Sequence, residues 1–243
     1  VKSEYNTIRE NHEKAQKDKK RLSFKAAQEN KLTIDWNSFS VTKPKKPGIT
    51  IFRDYDLSML REYIDWSPFF WTWELKGRYP DILRDPKSGE TAQSLFKDAQ
   101  EMLDILIKEQ WLNANAVVGI WPANSIEEDI VIYKDEERSE VIHTLHTLRQ
   151  QMPRKGKTRA NVALSDFISP LESGVIDYIG AFAVTTGAGI ERQLEKFEKD
   201  HDDYNSILLK ALGDRLAEAL AEFMHETVRT KIWAYAPDEN ISK

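Results

Sequence analysis

The strongest constraint on the fold is a long helical pattern in residues 190–233. Its apolar residues recur mostly every three or four positions, which is the spacing of one helix face, with longer gaps before Tyr204 and Val228. No proline interrupts the pattern. Gly213 lies in its middle, where glycine costs about 1 kcal/mol relative to alanine. The pattern predicts one long helix, or two helices separated near HDDYN at 201–205.

The rest of the chain mixes helix and strand patterns. Apolar spacing predicts helices at 91–112 and 139–151. Short apolar runs bounded by turn residues predict strands at 48–55, 116–124, 161–170 and 177–189. Strands and helices do not alternate regularly, and no glycine-rich phosphate loop follows a strand. The order therefore favours an irregular α+β domain over a doubly wound nucleotide-binding fold.

Composition excludes several classes of protein. The net charge of −5 argues against a general nucleic-acid binder, because neutralising phosphates requires a basic surface. The absence of cysteine excludes disulfides, thiolate metal sites and a cysteine nucleophile within this chain. No apolar run approaches the ~20 residues of a membrane span, and the first 22 residues lack the apolar core of a signal peptide. We therefore expect a cytoplasmic protein without membrane contact.

The first 46 residues differ from the remainder. They are polar and mostly lysine-rich, and they end in SVTKPKKPG at 40–48, where two prolines and a glycine favour extended backbone. The composition predicts an extended arm or linker over residues 1–46 and a folded domain over 47–243.

Three short motifs suggest binding sites, and each has a simpler explanation. His143 and His146 lie three apart on a predicted helix, but no third metal ligand is evident, so a surface or packed pair is favoured. HDDYN at 201–205 equally suits a helix break with solvated carboxylates. TTGAG at 185–189 more simply ends a strand and starts a helix than binds an anion. We predict no metal site.

An acidic stripe lies within the long helical pattern. Asp214 and Glu218 are four residues apart and so share one helix face, and Glu222 extends the stripe by another turn. The pattern alone predicts a solvated acidic face near Lys210 and Arg215. No Ser-His-Asp order or nucleophile elbow is visible, so no catalytic residue is predicted, and these patterns leave the function open.

An aromatic segment at 65–80, DWSPFFWTWELKGRYP, completes a set of long motifs with a family resemblance. Together with VVGIWPANS, DEERSEVIHTLHTLRQQ, DYIGAFAVTTG, HDDYNSILLKALGDRLAEALAEFMHETVR and WAYAPDEN, it resembles the activation domain of cobalamin-dependent methionine synthase. Residues 1–46 resemble the segment that joins this domain to a preceding cobalamin-binding module. The resemblance covers essentially the whole chain.

The resemblance implies a fold and a function. The fold would be α+β, built on a twisted antiparallel sheet with long helices. The parent methyltransferase moves a methyl group from methyltetrahydrofolate through cobalamin to homocysteine, and it holds cobalamin and zinc elsewhere. The activation domain presents S-adenosylmethionine to cobalamin that has been oxidised to cob(II)alamin, while a flavodoxin-type protein supplies an electron. Expected partners are therefore the cobalamin-binding module of the same polypeptide and that electron donor.

The resemblance also implies roles for individual residues. Asp65 corresponds to an acid that contacts S-adenosylmethionine, a ligand whose sulfonium and ammonium groups favour a carboxylate beside an aromatic surface. Most aromatics that follow Asp65 are expected to be packing. Asp214 and Glu218 correspond to acids facing the cobalamin module, and Arg78 to a basic residue near them. Gly213 replaces an alanine of the family pattern, ALADRLAEA.

The family pattern continues past YAPDEN into a segment, RPAPGYPACP, that holds part of the ligand and does not occur in this sequence. We therefore expect this chain to be truncated at its C-terminus, to fold, and to bind S-adenosylmethionine poorly by itself. Two alternatives remain. The chain could be a docking module that caps the cobalamin module without binding a ligand, or an unrelated enzyme that uses the carboxylates of residues 201–222.

Overall fold

The structure, a computed structural model, describes residues 2–17, 21–153 and 159–239. Its α-helices are α1 Lys2–Lys17, α2 Phe24–Glu29, α3 Trp66–Thr72, α4 Gly89–Lys108, α5 Ile190–Lys199 and α6 Asp203–Thr227. Its strands are β1 Gly48–Tyr55, β2 Asn113–Ile126, β3 Asp129–Tyr133, β4 Val141–His146 and β5 Asp177–Ala188. The described residues form two compact units, one from 1–43 and 121–179 and the other from 44–120 and 180–243.

The strands pair in the order β1-β2-β3-β4, and β5 also pairs with β2. β1 is antiparallel to β2, with Gly48 opposite Ile120 and an irregularity after Phe52. β2 and β3 form an antiparallel pair in which Ile126 lies opposite Asp129, and β3 is antiparallel to β4. The predicted α+β fold with an antiparallel sheet and long helices is therefore confirmed.

Two predicted elements are wrong. Residues 139–151 were expected to be helical, but they contain strand β4. The sequence of β4, VIHTLH, combines β-branched residues with a partner strand of matching character, DIVIY, and this pairing overrides the helical spacing of its apolar residues. Residues 161–170 were expected to form a strand, but they contain a short 3₁₀ turn, Leu164–Phe167.

A buried ion cluster explains that turn. The Asp166 carboxylate accepts a hydrogen bond from the Ala163 N–H at 2.9 Å, which closes the turn locally. It also accepts two bonds from Arg149, at 2.7 and 2.8 Å, and the Arg149 Nε donates to Glu128 at 2.7 Å. The Arg149 side chain is 1% exposed. Because these groups satisfy one another, the charges are accommodated in the interior of the first unit.

The first 46 residues are not extended throughout, because they contain α1 and α2. Ser23 caps α2 by accepting the Ala26 N–H at 3.2 Å, and Ala27 is fully buried. Asn30 donates to the Asn161 side chain at 2.7 Å within the same unit. The origin of residues 1–46 as an arm from a cobalamin-binding module stays a prediction.

The long helical pattern forms two helices, α5 and α6, as one of the two predicted alternatives stated. α6 begins where Asp202 accepts the Asn205 N–H at 3.0 Å, and His201 before it has a φ of 55°. HDDYN is therefore a helix break with a capping acid. α6 supplies much of the core of the second unit, including Leu208, Leu209, Leu212, Leu216, Leu220 and Met224. Across the described residues, no helix is both long and apolar enough to cross a membrane.

Candidate functional site

Asp65 lies at the N-terminus of α3 and caps it. Its φ and ψ of −77° and 111° are non-helical, and its Oδ1 accepts the Ser67 N–H at 2.9 Å. The first turn of a helix leaves backbone N–H groups without intrahelical partners, and aspartate is among the preferred residues that satisfy them. The local sequence therefore places an exposed carboxylate at the N-terminal end of α3, a helix rich in aromatic residues.

The aromatic residues behind Asp65 are mostly packing, as expected. Trp66 is 7% exposed, and Phe69 and Phe70 are fully buried. The Trp66 ring lies edge-on to Phe69, with centroids 5.4 Å apart. Trp71 differs, because its side chain is exposed and its indole N–H donates to the Gly77 carbonyl at 2.9 Å.

A cleft of about 300 Å³ opens beside Asp65 in the second unit. The cleft is lined by the start of α3, the end of the 3₁₀ turn Leu57–Tyr63 that precedes it, the C-terminal part of α6, and the helical turn Val228–Ile232 that follows α6. Four of the lining residues are acids and one is an arginine; the polar lining residues are Glu62, Tyr63, Asp65, Glu222, Glu226 and Arg229. The arrangement is suited to a ligand that carries positive charge.

Two contacts order the polar groups of the cleft. The Tyr63 hydroxyl donates to Glu226 Oε2 at 2.9 Å, so the Glu226 carboxylate has a fixed direction. The Arg229 Nε donates to Glu239 at 2.5 Å, and this contact raises the pKa of Arg229. Because Arg229 is already paired with Glu239, it does not fully neutralise the acids of the cleft.

The acidic stripe of α6 runs into this cleft. Asp214 and Glu218 are exposed on one face of the helix, and Glu222 and Glu226 continue the same four-residue spacing to the cleft. At 1.5 Å per residue, the four acids span roughly 18 Å. Glu218 lies 2.6 Å from the Arg215 guanidinium. Acids four residues apart repel one another, so the stripe costs helix stability.

Arg78 lies on the loop after α3 and its side chain is exposed. Within the described part of the chain, Arg78 forms no ion pair with Asp214 or Glu218. The structure therefore brings Asp65, Glu222 and Glu226 to one cleft and leaves the roles of Arg78, Asp214 and Glu218 as predictions.

The histidines of HTLH are on a strand rather than a helix. His143 and His146 are three residues apart on β4, so their side chains point to opposite faces of the sheet and cannot share a metal ion. The His146 Nδ1 lies 2.9 Å from Asp129 Oδ1. The ranges that the structure describes contain no cluster of three or more histidine, aspartate or glutamate residues suited to a metal ion.

Sequence reasoning missed Glu62, Tyr63, Glu226 and Arg229 as lining residues. Glu226 could have been found, because it continues the four-residue spacing from Asp214. Tyr63 and Arg229 carry no such signal, because Tyr63 ends a turn that packs against α6 and Arg229 lies just beyond the C-terminus of α6.

Comparison with known proteins identifies the family. The sequence profile of the vitamin B12 dependent methionine synthase activation domain matches residues 56–243. The chain is also 49% identical to a MetH reactivation domain whose crystal structure was determined bound to AdoHcy. That match covers 91% of this chain and 67% of the other, with a TM-score of 0.87. The chain belongs to the activation-domain family of vitamin B12-dependent methionine synthase.

Proposed function

We propose that this chain presents S-adenosylmethionine for the reductive methylation of cob(II)alamin. The main support is its 49% identity to a reactivation domain that binds AdoHcy, which is S-adenosylmethionine without its transferable methyl group. Cobalamin would be held by another module of the same polypeptide, and this chain would bring the methyl donor to it. The zinc of the parent enzyme would also lie outside this chain.

The lining of the cleft fits such a ligand. S-Adenosylmethionine carries a sulfonium and an ammonium group, and the cleft offers four carboxylates against one arginine that is paired with Glu239. We assign the ligand contact to Asp65, whose carboxylate is exposed at this cleft. The volume of about 300 Å³ is at the lower end of the range for small-molecule sites. We therefore propose that this chain supplies part of the ligand site and binds weakly on its own.

The surface that contacts the cobalamin-binding module would be the N-terminal part of the acidic stripe. Asp214 and Glu218 are exposed and one turn apart, and Arg78 is an exposed cation on the loop after α3. Cobalamin, held by its own module, would supply the methyl acceptor, and the C–S bond that breaks in S-adenosylmethionine would leave its electron pair on the sulfur of AdoHcy. Forming methylcobalamin from cob(II)alamin by this transfer requires one added electron for each reactivation, and we propose a flavodoxin-type protein as its donor.

The test uses the full-length methyltransferase prepared with cob(II)alamin. S-Adenosylmethionine with a labelled methyl group is added together with an electron donor, and the label on cobalamin is measured. We expect labelled methylcobalamin and one equivalent of AdoHcy. A docking module that only caps the cobalamin module would instead show no S-adenosylmethionine binding and no label, and that result would overturn the proposal.

A further inference from the structure

The loop that carries Arg78 is attached to α3 on both sides of that residue. The carbonyl of Gly77 accepts a hydrogen bond from the Trp71 indole N–H at 2.9 Å. The N–H of Tyr79 donates to the Ser67 hydroxyl oxygen at 3.1 Å. Arg78 lies between these two bonds, and its side chain is exposed.

Further contacts restrict the backbone of the same loop before and after Arg78. The Ile82 N–H donates to the Arg78 carbonyl at 2.8 Å. A Cβ at position 77 would lie 3.0 Å from the Ile82 side chain, so only glycine allows this approach without a shift. The Leu75 N–H donates to the Phe70 carbonyl at 3.1 Å, which joins the loop to the end of α3. The backbone at Arg78 is thus fixed although the side chain is in solvent.

Ser67 links Asp65 to the loop that carries Arg78. Its N–H donates to Asp65, the proposed ligand contact, while its hydroxyl accepts from Tyr79, next to Arg78. We propose that Ser67 and Trp71 are positioning residues that hold Arg78 for docking on an anionic group of the cobalamin-binding module. A fixed loop loses less conformational entropy on docking than a free one, which favours the docked state. This inference rests on the proposed function, because it requires that the cobalamin module docks on this chain.

The test measures two quantities in the full-length protein: affinity for S-adenosylmethionine by calorimetry and the rate of cob(II)alamin methylation. Ser67→Ala removes the acceptor oxygen but keeps the backbone N–H that holds Asp65. Trp71→Phe removes the indole donor but keeps an aromatic ring. For each, we expect affinity within about twofold of wild type and a rate about threefold to tenfold lower, the effect of one lost hydrogen bond. Ser67→Thr, which keeps the acceptor, should restore the rate.

Three further measurements separate positioning from a general effect on α3. Thr72→Ala removes a bond within α3, from Thr72 Oγ1 to the Pro68 carbonyl, and should leave both quantities unchanged. Hydrogen exchange at the Tyr79 amide should be faster in Ser67→Ala than in wild type. In an Arg78→Ala background, Ser67→Ala should cause no further loss of rate, because Ser67 acts through Arg78.

The inference is overturned if Ser67→Ala leaves the Tyr79 exchange rate or the methylation rate at the wild-type value. It is also overturned if Ser67→Ala and Arg78→Ala lower the rate independently. Absence of methylation by the wild-type protein is a different result, because it contradicts the proposed function itself.

Discussion

The carboxylate of Asp65 accepts a hydrogen bond from the backbone N–H of Ser67 at 2.9 Å, at the first turn of α3. This contact gives Asp65 a structural role as a helix cap, in addition to its proposed role as a ligand contact. The two roles can be separated by substitution, because asparagine caps helices about as well as aspartate but carries no charge.

The capping role predicts a difference between two substitutions. Asp65→Ala removes the acceptor for the Ser67 N–H and should lower the free energy of unfolding by about 1 kcal/mol. Asp65→Asn should change it by only a few tenths of a kcal/mol, because the amide oxygen still accepts. Chemical denaturation of this chain checks both values. Equal losses in the two variants would show that the charge, rather than the cap, stabilises α3.

The acidic stripe of α6 predicts a separation between docking and ligand binding. Reversing the charge of Asp214 and Glu218 to lysine should lower the methylation rate of the full-length protein more than about tenfold, because both residues are proposed to face the cobalamin module. Affinity for S-adenosylmethionine should stay within about twofold of wild type. Calorimetry and the labelled-methyl assay measure these two quantities.

A matched control for that double variant lies on α5. Glu191 and Glu195 are also exposed and four residues apart, so their reversal to lysine changes the net charge equally. The control should leave both quantities near wild type. Loss of S-adenosylmethionine binding in a folded Asp214→Lys, Glu218→Lys protein would mean that the docking surface and the ligand site have been wrongly separated.

Substituting alanine at two glycines of the second unit should change the free energy of unfolding in opposite directions. At Gly213, in the middle of α6, a Cβ would meet Ile190 at 3.7 Å, an ordinary contact, so Gly213→Ala should raise the free energy of unfolding by about 0.5–1 kcal/mol. Gly189 has a φ of 97°, and a Cβ there would lie 2.9 Å from the Trp111 carbonyl oxygen. Gly189→Ala should therefore destabilise by more than about 1 kcal/mol. Thermal or chemical unfolding of both variants tests the pair, and stabilisation by Gly189→Ala would contradict the assigned backbone strain.

The buried ion cluster of the first unit predicts a pH-dependent loss of stability. Burial alone would raise the pKa of Asp166, but the Arg149 guanidinium and the Ala163 N–H more than offset it, so the pKa lies below its usual value. A lowered carboxylate pKa stabilises the folded state above the unfolded pKa of about 3.9, and that stabilisation is lost as the pH falls through the folded pKa.

Asp166→Asn should therefore destabilise by roughly 3 kcal/mol at neutral pH, because it leaves Arg149 with one carboxylate fewer in the interior. The difference between wild type and variant should stay constant from about pH 7 to 5 and shrink below about pH 4. Denaturation across this range measures the difference. A difference that grows as the pH falls would have the wrong sign for a lowered pKa.

Elements with strong local signals were predicted from the sequence. α4 and α6 have sustained helical spacing, and β1 and β5 are bounded by clear turn residues, so each was placed in the correct class. β4 was misassigned because its apolar residues fit both a helix face and a strand, and only pairing with β3 decides between them. The segment 161–170 was misassigned because the bonds of Asp166 to Arg149 and Ala163 are not visible in an apolar pattern.

The candidate site, too, could be predicted from the sequence only in part. Asp65 and the acids of α6 could be singled out, because a motif marks the first and a four-residue spacing marks the others. The cleft itself could not, since it depends on packing between α6 and the turn before α3. The capping role of Asp65 was also missed, although an aspartate before a helix containing proline in its first turn is a recognisable start signal.

The most direct test of the proposed ligand site is the affinity for S-adenosylmethionine of the full-length protein, measured by calorimetry for wild type, Asp65→Asn and Asp56→Asn. Asp56 is the matched control, because it is also exposed, caps the turn Leu57–Tyr63 and accepts the Ser58 N–H at 2.9 Å. Removal of a charge-assisted contact at Asp65 should cost ~1.5–3 kcal/mol, a loss of roughly tenfold or more, while Asp56→Asn binds like wild type. Equal affinity of wild type and Asp65→Asn would contradict the assignment of the ligand contact to Asp65.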